Sequence, residues 1–173
     1  FRSPVGESAM SCLGRERIFE HFSRTAHIPT AIIRLNYACE MRYGVLVDLA
    51  QKVWRGEPVP LGMGRFNVIW QGDANAMTLG AFAHTASPPF VLNVTGPETL
   101  GVRSVCERFG ELMGKAPRFS GTEESSALLN DARRAFDLFG PPRVTAEQLN
   151  PWIAAWVARG GALLGKQIGR AHV

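Results

Sequence analysis

The sequence predicts an α/β fold, and two observations support this. Short apolar stretches rich in β-branched residues, "TAIIRLNYA" at 30–38 and "PFVLNVTG" at 89–96, have the composition of buried strands. Between them lie segments whose apolar residues recur at helical spacing. Such alternation is typical of a mainly parallel sheet with helices on its faces. The chain has 173 residues, 46% of them hydrophobic, which is enough for one domain of ordinary size.

The first predicted elements are two amphipathic helices around a strand. In residues 8–25 the apolar positions alternate with charges at helical spacing, and Pro29 separates this helix from the strand at 30–38. We expect the helix to pack on one face of the sheet. A second helix over 44–55 ends at Gly56. The apolar positions are Leu13, Ile18, Phe19 and Phe22 in the first helix, and Val45, Leu46, Leu49, Ala50 and Val53 in the second.

The middle of the chain predicts a strand, a helix and a second strand. "FNVIWQ" at 66–71 has strand composition, and the Ala-rich segment 74–86 is predicted to be a helix. Asp73 stands where an N-cap residue would stand. The strand at 89–96 ends in a Gly-Pro turn.

Two further helices are predicted downstream. Thr99 is placed to cap a helix over 100–113, and Gly114 is placed to end it. A short helix over 131–139 stops at the sequence "GPP".

The start of the last helix is ambiguous. Thr145 and Gln148 have the spacing of a capping box, but Pro151 would then lie inside the helix and remove a hydrogen bond. We therefore predict Asn150 as the N-cap and Pro151 as the first residue of a helix over 151–159. That helix would bury Trp152, Ile153, Trp156 and Val157.

Charge, hydropathy and cysteine content favour a cytoplasmic protein that does not bind nucleic acid. The net charge is +4, but the basic residues are scattered beside acids and form no cluster with aromatic residues. No apolar run approaches the ~20 residues of a membrane span, and the first residues lack the features of a secretory leader. Cys12, Cys39 and Cys106 match no zinc or disulfide spacing, which favours reduced thiols and gives no metal site.

Four stretches resemble, in order, the extended short-chain dehydrogenase/reductase family, also called the NAD-dependent epimerase/dehydratase family. "SAMSCLGRE" resembles its active-site helix, written Tyr-x-x-x-Lys, and "TAIIRLNYACEMRYG" its next strand and loop. "FNVIWQGDANAMTLGAF" is similar to its Phe-x-x-Val-x-Asp-Val-Ala segment. The closest match is "FVLNVTGPETLGVRSVCERFGELMG", which resembles the Phe-Asn-Val-Gly-x-Pro-Glu-x-Leu-Ser-Val-x-Glu segment of the family.

The resemblance implies that the chain corresponds to the C-terminal half of such a protein. Residues 1–60 would then hold the late elements of a Rossmann-like parallel sheet, with a degenerate active-site helix. Residues 61–166 would hold the substrate-binding region and the last strand. The glycine-rich turn that grips a dinucleotide has no counterpart, since no Gly-x-x-Gly-x-x-Gly follows a strand and "GMGRF" at 62–66 is interpreted as a turn. The tail 167–173, "QIGRAHV", resembles a translated sequencing adapter; the alternative is a natural disordered terminus.

Ser8 and Cys12 stand where the resemblance places the catalytic Tyr and Lys. In the family the Tyr exchanges a proton with the substrate oxygen, and the Lys lowers the pKa of the Tyr and holds the nicotinamide ribose. A serine hydroxyl is a far weaker acid than a phenol, and a thiol carries no positive charge, so we expect this helix to be inactive. The nearest histidines, His21 and His27, lie at the far end of the helix or beyond it, so Cys12 is interpreted as a small packing residue rather than a nucleophile.

The resemblance suggests roles for other positions. Asn36 matches an Asn that contacts the substrate or its phosphate, although an Asn that holds a turn is an equal alternative. Asp73 is interpreted as an N-cap rather than a ligand, and Arg103 as a surface residue. Arg65 lies close to a position at which sugar-nucleotide enzymes bind a diphosphate, but in a loose register. His84 is interpreted as a surface or helix-end histidine rather than a metal ligand.

The resemblance therefore implies an NAD- or NADP-dependent oxidoreductase acting on a sugar-like or small carbonyl or hydroxyl compound, of which this chain is an inactive part that binds no cofactor alone. The alternative is a non-catalytic dinucleotide-sensing or scaffold relative. No other set of residues in the chain suggests catalysis. An isolated half-sheet would be marginally stable, aggregation-prone or a homo-oligomer.

Overall fold

The computed structural model describes residues 7–124 and 127–165. The helices are α1 Glu7–Ala26, α2 Val45–Arg55, α3 Gln71–Gly80, α4 Val102–Met113, α5 Arg133–Phe139 and α6 Ala146–Ala158, with a 3-10 turn at Ala81–His84. The strands are β1 Ala31–Leu35, β2 Ala38–Cys39, β3 Pro58–Pro60, β4 Arg65–Phe66, β5 Ile69–Trp70, β6 Phe90–Val94, β7 Leu100–Gly101, β8 Arg118–Ser120 and β9 Ala127–Leu128. Within these residues no helix is long and apolar enough to cross a membrane.

The strands confirm the predicted α/β class. β1 and β6 pair in parallel from Ala31 opposite Phe90 to Leu35 opposite Val94. β2 pairs with β5 and β3 with β8, both in parallel, whereas β4 pairs in parallel with β9 and antiparallel with β7. The β1–β6 pair matches the two stretches that were predicted as buried strands.

The buried residues form two clusters. The larger lies in what we call the three-helix body, where α2, α4 and α6 each contact the other two and β2, β3 and β4 pack against them. The smaller lies in what we call the sheet body, formed by β1, β6, α3 and α5. Phe109 and Ile153 are fully buried in the first cluster, and Leu92 and Ala135 in the second.

The prediction of one strand over 66–71 is wrong. The segment divides into β4 and β5, which pair with different partners, and Asn67 and Val68 lie between them. Gly96 passes close to this break: a Cβ atom added there would overlap the carbonyl oxygen of Val68. Residues 67–68 therefore lead from the three-helix body to the sheet body, and they pass close to Gly96, which has no side chain to collide with them.

Two of the predicted helix starts are wrong because tertiary contacts replace the expected caps. α3 begins at Gln71, and the Asp73 carboxylate accepts a hydrogen bond from the Val144 backbone N–H at 3.0 Å instead of capping the helix. α4 begins at Val102 rather than behind Thr99, since Leu100–Gly101 is drawn into a ladder with β4.

The last helix begins at the capping box. The Gln148 N–H donates to Thr145 Oγ1 at 3.2 Å, and the Thr145 N–H donates to Gln148 Oε1 at 2.9 Å. Asn150 as N-cap is therefore wrong, and Pro151 lies inside α6, where its missing N–H leaves one intrahelical bond unmade. Trp152 is also wrongly placed in the core, since 46% of it is exposed. The predicted ends of α2 and α4 are confirmed, because Gly56 and Gly114 both adopt the left-handed conformation.

Candidate active-site region

Helix α1 runs antiparallel to β1 and is fastened to it by polar contacts. Near its C-terminal end, Ser23 Oγ donates to the carbonyl oxygens of Ile28 at 2.8 Å and Ala86 at 3.4 Å, beside the start of β1. Ser87 Oγ donates to the Ser23 carbonyl oxygen at 2.7 Å. These contacts fix the C-terminal end of α1 at the beginning of the strand.

An ion pair between Glu16 and Arg34 holds the middle of α1 near the end of β1. Arg34 Nη2 lies 2.7 Å from Glu16 Oε2, and Arg34 Nε lies 3.0 Å from Glu16 Oε1. The hydrogen bonds from Glu16 raise the pKa of the Arg34 guanidinium. Since Ser23 meets the start of β1 and Glu16 meets its end, the N-terminal turns of α1 extend towards the carboxyl end of the strand.

The apolar side of α1 is not covered as predicted. Ile18, Phe19 and Phe22 are each more than half exposed, and Ser23 is the one buried residue among those of α1 whose burial is described. The helix is therefore held beside the sheet by polar contacts rather than packed on it through an apolar face.

Ser8 and Cys12 both lie in α1, in the part that extends towards the carboxyl end of β1. The Ser8 side chain lies outside the described part of the structure. Cys12 is exposed, and Arg15 Nη2 lies 3.6 Å from its sulfur. Cys12 therefore does not serve as a core packing residue. His21 is nine positions further along the helix, about 13 Å by its rise, too far to act as a base for the thiol.

Asn36 follows β1 and is held by a cluster of asparagines. Its backbone N–H donates to the Val94 carbonyl oxygen at 3.0 Å, which extends the pairing of β1 with β6. Its side-chain Nδ2 donates to Asn67 Oδ1 at 2.6 Å and to the Leu128 carbonyl oxygen at 3.3 Å. The side-chain amide of Asn36 therefore has a structural role, since it joins the end of β1 to Asn67 and Leu128. A contact between Asn36 and a substrate stays a prediction.

Asn67 and Asn130 complete the asparagine cluster, and neither was singled out from the sequence. Asn67 Nδ2 donates to the Asn130 carbonyl oxygen at 2.7 Å, and Asn130 Nδ2 donates to the Arg34 carbonyl oxygen at 3.2 Å. The position of Asn67 between the apolar Phe66 and Val68 could have signalled its role from the sequence, and in the structure Asn67 is 5% exposed. The cluster ties the segment 127–132 to the carboxyl end of β1, where open parallel sheets bind their ligands.

The charged groups around this edge are largely paired. Arg133 binds both carboxylate oxygens of Asp131, with Nη2 2.6 Å from Oδ2, and these hydrogen bonds lower the pKa of Asp131 to about 2. Arg103 is a surface residue as predicted, and its Nε lies 3.0 Å from Glu123 Oε1. Arg65 is exposed. The amide N–H groups of the asparagine cluster are largely engaged within the protein, and amides supply no acid or base near neutral pH.

Other candidate reactive groups are unsuited to chemistry. Burial raises the pKa of the Cys39 and Cys106 thiols to about 12, so both are neutral near pH 7. His84 ends the 3-10 turn and stacks on Phe90 with ring centroids 5.3 Å apart, which confirms a helix-end histidine. Three metal-ligating side chains do not come together anywhere in 7–124 or 127–165.

Two features that the family resemblance links to dinucleotide binding differ in this chain. The sequence has no glycine-rich turn after a strand, and the exposed Cys12 stands at the position that the resemblance aligns with the Lys. The geometry offers one edge of a site, which is the amide cluster at the carboxyl end of β1 with the N-terminal part of α1 extending towards it.

No family model and no curated protein matches the chain, and the likeness to known proteins is one of structure. The fold superposes on UDP-glucuronic acid 4-epimerase from Bacillus cereus, solved with NAD, with a TM-score of 0.74 and 16% identity, over 90% of this chain and 54% of that one. It also superposes on dTDP-glucose 4,6-dehydratase from Bacillus anthracis, solved with NAD, with a TM-score of 0.74 and 17% identity, over 91% and 54%. RMD from Pseudomonas aeruginosa, solved with NADPH, matches with a TM-score of 0.71 and 15% identity, over 91% and 61%.

The chain thus spans between half and two thirds of the length of these solved structures. Identities of 15–17% support a shared fold and carry no residue role across. The resemblance to the epimerase/dehydratase family is confirmed at the level of fold: this chain has the α/β architecture of part of an extended short-chain dehydrogenase/reductase.

Proposed function

We propose that the chain is the C-terminal part of an NAD(P)-dependent oxidoreductase of the epimerase/dehydratase type, with a sugar-like or small carbonyl or hydroxyl substrate. The observation that carries this proposal is the superposition of nine tenths of the chain on about half of enzymes solved with NAD. The parallel pair β1–β6, with Asn36 at its carboxyl end, supports the proposal because ligands bind at that edge of open α/β sheets.

In this proposal the chain supplies the substrate side of the site. Asn36, whose Nδ2 is held by Asn67 and the Leu128 carbonyl oxygen, uses its Oδ1 to accept a hydrogen bond from a substrate hydroxyl. Proton transfer to the substrate oxygen is lacking because Ser8 replaces the phenol. Dinucleotide binding is lacking because the chain has no glycine-rich turn and Cys12 replaces the ammonium. The chain of 173 residues is therefore inactive alone and binds no dinucleotide.

Calorimetry tests the lack of a dinucleotide site directly. We expect no heat of binding when NAD⁺, NADH, NADP⁺ or NADPH is titrated into residues 1–173. Micromolar binding of any of the four would show that the chain contains a dinucleotide-binding site, and would overturn the assignment to the C-terminal part.

A double substitution tests the role of α1. Ser8→Tyr with Cys12→Lys restores the side-chain pair that general acid–base catalysis requires, a contribution of ~10²–10⁴-fold. We expect no turnover from these variants in residues 1–173, but a rise in turnover once a dinucleotide-binding N-terminal half is joined to the chain. If the joined protein binds dinucleotide and the double variant brings no rise, α1 is not the active-site helix.

One observation favours a non-catalytic relative as the second candidate. The Asn36 amide N–H groups are engaged within the protein, and the exposed Cys12 has no histidine within reach as a base, so the described residues offer no acid–base pair. The sequence upstream of Phe1 distinguishes the two: an intact glycine-rich turn favours the enzyme, and a degraded one favours a dinucleotide-sensing or scaffold protein.

A further inference from the structure

Two sets of polar contacts join α1 to the sheet body. One set, at Ser23, holds the C-terminal end of the helix at the start of β1. The other is the ion pair between Glu16 and Arg34, in which the guanidinium donates to both carboxylate oxygens, from Nε at 3.0 and 3.1 Å and from Nη2 at 2.7 Å. A guanidinium that binds both oxygens of a carboxylate makes one of the stronger polar contacts in proteins. The N-terminal turns of α1 are therefore held through Glu16, and the C-terminal turns through Ser23.

Apolar packing gives α1 little further support. Ala9, Leu13, Glu16, Glu20 and Ser23 recur at helical spacing along one side of the helix, and the structure describes them as buried or partly buried. Among the described side chains before Glu16, this side carries two apolar ones, and both stay partly exposed. None of the described helices or strands packs along α1 in the way that α2, α4 and α6 pack on one another. The N-terminal turns therefore depend strongly on the ion pair.

These N-terminal turns are also weak as an isolated helix. Residues 7–16 are fewer than the ~12–15 residues that a helix needs to be stable alone in water. Gly14 lies within this segment, two positions before Glu16, and a Cβ atom built on it would have open space around it. Glycine in the interior of a helix favours the unfolded chain. Without the ion pair, neither packing nor helix propensity keeps residues 7–16 in place.

We propose that the Glu16–Arg34 ion pair is a latch that controls local opening of α1. When the pair breaks, residues 7–16 lose their helical structure and leave the carboxyl end of β1, while Ser23 keeps the C-terminal turns in place. The latch thereby decides whether the positions of Ser8 and Cys12 lie beside the candidate site. The Arg34 side chain is 37% exposed and that of Glu16 is 22% exposed, so salt screens the pair and increases the open fraction. The proposal concerns residues 1–173 and does not depend on the proposed function.

Native-state hydrogen exchange, measured residue by residue by NMR, tests the latch. At low salt, Glu16→Gln should speed exchange of the amides at 11–16 about fivefold, as expected for the loss of a partly buried ion pair, and should leave those at 22–26 unchanged. Glu20→Gln is the matched control, because Glu20 lies on the same side of α1 but both of its ion pairs are made within the helix. It should change exchange at 11–16 by less than about twofold.

Two further measurements separate the latch from a general loss of stability. Arg34→Gln should give the same increase as Glu16→Gln, and the double variant no more than either, because the two groups act as one pair. In the unaltered chain, raising sodium chloride from ~0.01 M to ~1 M, which shortens the Debye length from ~30 Å to ~3 Å, should bring exchange at 11–16 towards that of Glu16→Gln. The amides of α4 should exchange at the same rate in all of these variants, which checks that they are folded.

A nitroxide on Cys12 gives an independent readout, because Cys12 is exposed whereas Cys39 and Cys106 are buried. Its spectrum should gain a mobile component in Glu16→Gln but not in Glu20→Gln. Unchanged exchange at 11–16 in Glu16→Gln would overturn the proposal, since the N-terminal turns would then be held by other contacts. Equal acceleration at 11–16 and 22–26 would also overturn it, because α1 would then open as a single unit.

Discussion

The three-helix body and the sheet body differ in how completely the chain covers them. In the three-helix body, α2, α4 and α6 close on one another, and their facing residues, such as Val53, Phe109 and Ile153, are almost fully buried. In the sheet body, Leu92 and Val94 of β6 are buried, but no residue of β1 is. The first body has a core that its own helices complete, whereas β1 has one strand partner and a partly covered surface.

The difference follows from the kind of element in each body. Helices satisfy their backbone hydrogen bonds internally, so three of them can enclose a core without further partners. A parallel strand needs a neighbour on each edge and cover on both faces. The comparison indicates that the three-helix body determines the stability of this chain, while β1 and α1 retain surfaces suited to further contacts.

The largest test of this comparison removes a ring from the three-helix body. Phe109→Ala should destabilise the chain by about 3–5 kcal/mol, because Phe109 is fully buried and its loss leaves a cavity. Leu35→Ala on β1, where half of the side chain is exposed, should cost less than about 0.5 kcal/mol. Urea unfolding measures both. Equal losses would show that β1 belongs to the same cooperative core.

The second test removes the link from segment 127–132 to the carboxyl end of β1. Asn67→Ala should cost about 1–3 kcal/mol, because it leaves Asn36 Nδ2 and the Asn130 carbonyl oxygen without this partner in a partly buried place. Hydrogen exchange should show faster opening of 127–132 and little change in α4. Asn75→Ala, on the exposed side of α3, is the control and should change neither quantity.

The third test concerns the start of α6 in the three-helix body. Thr145→Ala should cost about 1 kcal/mol through loss of the capping box, and Thr145→Ser should retain most of that stability because its hydroxyl can still accept from the Gln148 N–H. Thermal unfolding of the two variants makes the comparison. A neutral Thr145→Ala would return the N-cap to Asn150.

The smallest effect is a titration at the edge of the sheet body. In the folded chain the pKa of Asp131 is about 2, below its ordinary value near 4, because Arg133 donates to both oxygens. A depressed folded pKa means that the stabilisation is present above about pH 4 and is lost as the pH falls through about 2. Carbon NMR of the carboxyl group measures this.

Two variants separate the cause of that shift. Arg133→Gln should return the pKa of Asp131 towards its ordinary value. Arg134→Gln should not, because the Arg134 guanidinium donates to the Val91 carbonyl oxygen and lies over the Phe90 ring instead. A shift that survives Arg133→Gln would require another donor to Asp131.

Local sequence signals predicted the elements and some of their ends, but not the contacts between distant segments. The helical spacing of apolar residues in α1 and α2 is a local pattern, and so are the helix ends at Gly56 and Gly114. The sequence was therefore sufficient to predict these helices and those two ends. Asp73 failed as an N-cap because its hydrogen-bond donor, Val144, lies 71 residues away. Local sequence places Asp73 correctly for an N-cap, but the distant Val144 N–H takes its carboxylate instead.

Only part of the candidate site could be predicted from the sequence. Asn36 was found because it follows a strand, whereas Asn67 and Asn130 are separated by 63 residues and meet only in the folded chain. The exposure of Phe19 and Phe22 could not be predicted either, since their helical spacing is the same whether the face they share is covered or open.

The close approach of Gly96 to Val68 has a consequence for tolerance to mutation. Any side chain at 96 would have to displace the backbone between β4 and β5, where the chain passes from one body to the other. Gly14, in α1, has open space around its Cβ position, and Gly14→Ala should be accepted or even favoured in a helix. In a library of all single substitutions, position 96 should therefore be among the most depleted glycines, and position 14 among the most permissive.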